Sequence, residues 1–162
     1  MDVQIRPAAP ADYAELCEVF AEIDSYHARA LPHIFQTPPG PARSRAYVRG
    51  ILDDPDAALF VAVADGEIVG LVDVRQHTTA DIPILVPRRF AVIDAIVVRR
   101  AFWGQGMGRA LMHRAESWAR ERELGEVLLN VWEFNRRAIE FYEGLGYETI
   151  SRRMRRTLGG GE

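Results

Sequence analysis

The apolar run "FAVIDAIVV" (90–98) is followed within five residues by "WGQGMG" (103–108), which opens directly into helix-forming sequence. This order constrains the chain more than any other feature. An almost unbroken apolar run of that length reads as a strand buried on both faces. Glycine costs roughly 0.5–1 kcal/mol relative to alanine inside an element, so glycines at 104, 106 and 108 need a physical reason. One reason is a tight turn. The other is a helix start whose bare N–H groups come close to an anion, with Arg109 and Arg114 adding charge nearby. The spacing does not fit GxGxxG, because the third glycine comes one residue early, and a chain without lysine has no Walker lysine. Spacing alone leaves both readings open.

The flanking sequence supplies the rest of the architecture. "VQIRPA" predicts a first strand closed by Pro7, and Asp12 is placed to cap a helix with Leu16, Val19, Phe20 and Ile23 on its apolar side. A proline-rich segment breaks near Pro32 and precedes a second helix over about 43–52. "ALFVAVADGEIVGLVDVR" predicts a hairpin turning at Asp65-Gly66, and "HTTADIPILVPRR" a long connection. After the glycines, Met107, Leu111, Ala115 and Trp118 share one helical face, which stops at Gly125. "VLLNVW" predicts another buried strand. Asn135 is placed to cap a helix with Ala138, Ile139, Phe141, Tyr142 and Leu145 inward, ending at Gly144 or Gly146. "YETISRRMRRTL" predicts a closing strand. Strand–helix–strand order implies a parallel pair joined by a right-handed crossover, so the class is α/β with a mixed sheet.

Composition narrows the function. At 162 residues, 48% hydrophobic, the chain reads as one soluble domain over 1–158 with a flexible tail at 159–162. A net charge of −3 argues against a general nucleic-acid binder. The arginine runs at 88–89 and 152–156 carry no interleaved aromatics for base stacking. No apolar run is long enough for a membrane span and no signal peptide is read, so the expected location is cytoplasmic. A lone Cys17 fits a reducing compartment and reads as a core residue. His27, His33, His77 and His113 show no metal-ligand spacing, and no metal is expected.

Two motifs then carry a resemblance. "VVRRAFWGQGMGRALM" followed by "LNVWEFNRRAIEFYEGLGYE" resembles the GNAT superfamily of acetyl-CoA-dependent N-acetyltransferases. The family's phosphate motif, Gln/Arg-x-x-Gly-x-Gly/Ala, falls on Trp103, Gly104, Gln105, Gly106, Met107 and Gly108, with Trp103 departing from the usual Gln or Arg. The second motif matches through Asn135, Ala138, Phe141, Tyr142, Glu143, Gly146 and Tyr147. The resemblance implies a mixed, mostly antiparallel sheet with a central, splayed parallel strand pair, flanked by helices.

It also implies chemistry. Coenzyme A phosphates would lie over residues 104–109, and pantetheine along Ile96, Val97 and Val98, with a Val98 N–H as oxyanion donor. Arg109 and Asn135 would contact the cofactor, although Asn135 reads equally well as a helix cap. Tyr142 would protonate the leaving thiolate; periodicity alone makes it a core tyrosine. Relatives with a glutamate in the strand after the long helix find Asn130 here, and an amide accepts no proton. Asp94, a lone carboxylate in an apolar run, is the alternative base if burial raises its pKa, or else a residue that ties down a loop. Glu22, Asp24, His27 and His33 fall where the family walls its acceptor site. The implied function is direct acetyl transfer from acetyl-CoA to a primary amine of a small molecule or a protein. The alternative is a non-catalytic acyl-CoA-binding sensor. A single closing strand would leave a sheet edge, so a homodimer is expected.

Overall fold

In a computed structural model of the chain, residues 1–159 are described. They form two compact units, Met1–Asn130 and the segment from Val131 onward. The first unit holds a five-stranded sheet of β1 (Val3–Pro7), β2 (Ala57–Ala64), β3 (Glu67–Thr78), β4 (Arg89–Val98) and β5 (Val127–Leu129), in that spatial order. β4 and β5 are parallel and every other pair is antiparallel. The expected mixed sheet is therefore the observed one. Its helices are α1 (Tyr13–Ala30), α2 (Arg45–Asp53) and α3 (Met107–Glu121); the second unit carries α4 (Arg136–Gly144).

Strand period decides which residues meet which helix. Leu59, Val61, Leu71 and Val97 share one core cluster with Leu16, Val19 and Phe20 of α1 and Val48 and Ile51 of α2. Side chains of this kind contribute about 1.5–3 kcal/mol each when fully buried. The opposite face receives α3 through Met107, Leu111, Ala115 and Trp118, buried as the periodicity predicts, and through Met112 and Ala119, which it did not name. Gly70 shows how closely β3 approaches its neighbours: a Cβ there would lie 2.8 Å from the Val97 carbonyl oxygen and 3.1 Å from Leu111. At the hairpin tip, Asp65 and Gly66 both have positive φ, 49° and 90°, as a two-residue turn of this type demands.

Several expectations need correction. β4 is not buried on both faces: Ala91, Ile93 and Val97 are buried, whereas Asp94 is exposed. Its parallel neighbour ends early, because β5 spans Val127–Leu129 rather than 127–132. The α3 helix ends at Glu121, and the left-handed residue after it is Glu123, φ 59°, not Gly125. No strand forms over 147–158, where every residue after the half-buried Tyr147 lies exposed. Arginines at 152, 153, 155 and 156 fall on both alternating faces, so neither face is apolar enough to bury. The homodimer expectation thus loses the closing strand on which it was based. Apart from Gly159, the expected tail at 159–162 lies outside the described residues.

Candidate active site

The parallel pairing of β4 with β5 covers Ala91–Ile93 against Val127–Leu129. Beyond Ile93, residues 94–98 of β4 have no strand neighbour on that side among the described residues. The divergence begins at a β-bulge. Asp73 pairs with Ala95 and Val74 with Ile93, so Asp94 is the extra residue on β4. Bulges of this kind re-aim a side chain and end regular pairing.

The chain leaves β4 at Val98 and turns twice before α3. Gly104 has φ 77° and Gly106 φ 84°, values that side chains with a Cβ rarely adopt. A Cβ at either position would meet no protein atom within 4 Å, so the turn itself and not crowding requires glycine. Gly106 caps α3 without any side-chain hydrogen bond. Among the described residues, no backbone N–H from residue 104 to 109 has an acceptor; the first such bond runs from Ala110 N to Gly106 O at 3.0 Å. Successive N–H groups at a helix start, with the positive end of the helix dipole behind them, suit a phosphate. The glycines make the turn, and the turn bares the donors. The Trp103 indole donates to the Val98 carbonyl at 2.7 Å, and the Gln105 side chain donates to the Ala101 carbonyl at 3.2 Å. These two side chains brace the loop. Arg109 is exposed at its edge.

Asp94 is 39% exposed on its side chain and paired with Arg75 Nε at 2.8 Å. The burial that its apolar surroundings in sequence suggested is not found, because the bulge turns Asp94 out of the sheet. The deeply buried carboxylate is instead Asp73, 2% exposed, which receives Arg75 Nε at 3.2 Å and Nη2 at 2.8 Å. Burial pushes the Asp73 carboxyl up, and the bond from Arg75 pulls it back. The Tyr47 hydroxyl of α2 also meets Arg75 Nη2, at 3.3 Å. Sequence reading missed this group. Its signal was the alternation Leu71, Asp73, Arg75, which puts two charges on the strand face that packs against α1 and α2.

The four expected acceptor-wall residues separate. Asp24 is held by Arg43 at 2.6 Å, and Arg43 also lies 3.9 Å over the Phe20 ring. Asp24, Arg43, Phe20 and Cys17 line a cavity of about 170 Å³ between α1 and the 37–43 segment. Cys17 is thus half-buried at a cavity wall and not in the core. His27 stacks on Phe35 at 5.3 Å, and burial lowers its pKa against the pull of Asp24. Glu22 accepts the Arg100 N–H at 3.1 Å, tying α1 to the turn that follows β4. His33 is exposed in the turn after α1.

In the second unit, Asn135 caps α4: its Oδ1 accepts the Ala138 N–H at 3.2 Å. Burial pushes the Tyr142 hydroxyl up to about 12, with its ring edge-on to Tyr147 at 6.0 Å. Such a phenol is fully protonated at neutral pH. Among the described residues no group of three or more His, Cys, Asp or Glu could hold a metal ion. No helix there is long and apolar enough to cross a membrane.

A parallel strand pair whose pairing ends at a bulge is thus followed by a glycine turn that bares a helix start, in an α/β fold. A family model described as "Acetyltransferase (GNAT) family" matches residues 20–147, and the chain belongs to that family. A streptothricin acetyltransferase of Streptomyces lavendulae is 34% identical over 96 residues, 59% of this chain and 47% of its own. A protein named as an N-acetyltransferase in Methanocaldococcus jannaschii is 33% identical over 105 residues, 65% of this chain and 45% of its own. The chain spans about half the length of these two relatives. Among solved structures, a tetramutant of the BH1408 protein from Bacillus halodurans superposes with a TM-score of 0.91 at 22% identity, over 96% of this chain and 99% of that one. An aminoglycoside acetyltransferase from a soil metagenome gives a TM-score of 0.69 at 18% identity, over 97% of each chain. At these identities the two structures show the shared fold.

Proposed function

We propose that the chain transfers the acetyl group of acetyl-CoA directly to a primary amine. The observation that carries the reading is the run of unaccepted N–H groups at 104–109, next in sequence to a strand whose 94–98 edge has no strand neighbour among the described residues. Residues 104–109, with Arg109, would hold the phosphates, and the backbone of Ile96, Val97 and Val98 would pair with the pantetheine arm. The Val98 N–H would stabilise the oxyanion. Acetyl-CoA supplies the activated acyl carbon.

The remaining chemistry falls to side chains. The amine nitrogen attacks the thioester carbon, the carbon–sulfur bond breaks, and the thiolate takes a proton from Tyr142. Asp94, exposed and beside a guanidinium, suits holding the incoming ammonium better than removing its proton, which passes to water. The acceptor wall comprises the α1 cavity with Asp24 and the neighbouring His27. Relatives named for streptothricin and aminoglycoside acetylation make a cationic, amine-rich small molecule the substrate class to try first.

The test is thiol release from acetyl-CoA with a panel of primary amines, for the wild type and Tyr142→Phe. Phenylalanine keeps the ring and has no proton to give, so turnover should fall by roughly 10²-fold while coenzyme A affinity holds. Wild-type turnover in that variant would leave Tyr142 a packing residue. No thiol release with any amine, with coenzyme A still bound, would favour a sensor.

A further inference from the structure

We propose that Arg75 is a positioning residue: clamped by the buried Asp73, it sets Asp94 in the β4 bulge to receive the acceptor's ammonium group. The inference rests on the transferase reading above and adds a residue pair that neither family motif contains.

A carboxylate stands in β3 where burial favours an apolar side chain. Asp73 is 2% exposed in the middle of an apolar sheet, and a carboxylate so placed needs a partner that satisfies it fully. Arg75, two residues on and so on the same strand face, answers with two nitrogens at 3.2 and 2.8 Å. A fork held this way has little rotational freedom left. Tyr47, from α2, adds a third hold through its hydroxyl at 3.3 Å. The same Arg75 Nε then lies 2.8 Å from Asp94 Oδ2, across the strand pair at the one place where β4 carries an extra residue. A bulged residue has no ladder partner to fix its direction, and Arg75 supplies that direction from the side chain.

Counting charge points to what comes next. One guanidinium stands between two carboxylates, which leaves one negative charge over. The other cation that acts on Asp73 is Arg43, and Asp24 already holds it at 2.6 Å. The surplus sits on Asp94, the exposed member, whose second oxygen has no partner among the described residues. A cation brought by the acceptor completes the group, and an acceptor amine arrives as an ammonium ion. Asp73 and Arg75 therefore act through Asp94 and touch no substrate themselves.

The experiment is steady-state kinetics by thiol release, with the best acceptor from the amine panel. Replacing Arg75 alone would strand a buried charge, so the main variant is Asp73→Asn with Arg75→Gln, a neutral pair that keeps hydrogen bonding. The acceptor KM should rise at least tenfold, with the acetyl-CoA KM within about twofold and kcat within about threefold. In an Asp94→Asn background the same pair should add less than about twofold, because the residue it works through is gone. Arg75→Lys, which keeps the charge and loses the fork, should fall between wild type and the neutral pair. An unchanged acceptor KM, or effects that multiply in the Asp94→Asn background, would overturn the inference while the transferase reading stood. A wild type that acetylates no amine would sink both.

Discussion

Helices α2 and α3 start in opposite ways. Ser44 turns its hydroxyl onto the Tyr47 N–H at 3.1 Å, and α2 closes its own first turn. Gly106 brings no side chain at all, and α3 opens with its donors bare. The α4 start follows the first pattern, whereas at α1 the carboxylate of the cap residue bonds no N–H of the helix. Asn135 caps α4; ahead of α1 the Asp12 carboxylate turns back to accept the Ala9 N–H at 2.8 Å and the two terminal Arg6 nitrogens at 2.7 and 3.0 Å, and the Tyr13 N–H closes a turn onto the Pro10 carbonyl. A helix start needs partners for its first N–H groups. Where the chain supplies them the start is architecture, and where it withholds them in a glycine-only turn the donors stay open to a partner from outside, the role the proposed function gives them.

That contrast can be broken most directly at Gly106. Valine there meets no neighbour but must adopt φ near 84°, so the turn should rearrange. Coenzyme A affinity measured by calorimetry should fall about a hundredfold, roughly 2.7 kcal/mol. Unchanged affinity in a folded variant would make the bare donors incidental. At α1, Asp12→Ala should cost about 2 kcal/mol in denaturant unfolding at neutral pH, with coenzyme A affinity intact.

Asp12 also sharpens the comparison through pH. The bond from Arg6 holds its carboxyl below the ordinary value of about 3.9, so its contribution is complete above that value. It is lost as pH falls through the lower, folded-state pKa, and Asp12→Ala should flatten the acid limb of the stability curve there. Asp73, pushed up by burial, works in the opposite sense: protonating it favours the folded state. The smallest effects belong to the plain caps. Ser44→Ala and Asn135→Ala should each lower stability by about 1 kcal/mol. A large loss of coenzyme A affinity in Asn135→Ala, absent in Ser44→Ala, would give Asn135 a second role.

Much of this architecture was legible because local patterns carry it. The 3.6-residue period of Met107, Leu111, Ala115 and Trp118 names the buried face of α3 with no knowledge of what covers it. Asp65-Gly66 is a turn signal complete in two residues, and of the glycines that allowed a tight turn, those at 104 and 106 take positive φ. The two motifs around 103–108 and 135–147 were enough to reach the family. These features depend on near neighbours in the chain, and near neighbours are what a sequence displays.

Tertiary structure decided what depends on pairing across the chain. Asp94 lies in a run that reads as buried, yet one extra residue opposite Asp73 and Val74 turns it outward. Its guanidinium partner sits nineteen positions earlier, on another strand, and is held by a third element, α2. Asp12 occupies the cap position expected of it, but Arg6 draws the carboxylate away from the helix it precedes. A carboxylate's burial, direction and ion-pair partner are set by strand register and by which helices cover the face. Register is a relation between distant segments, and no local pattern of residues states it.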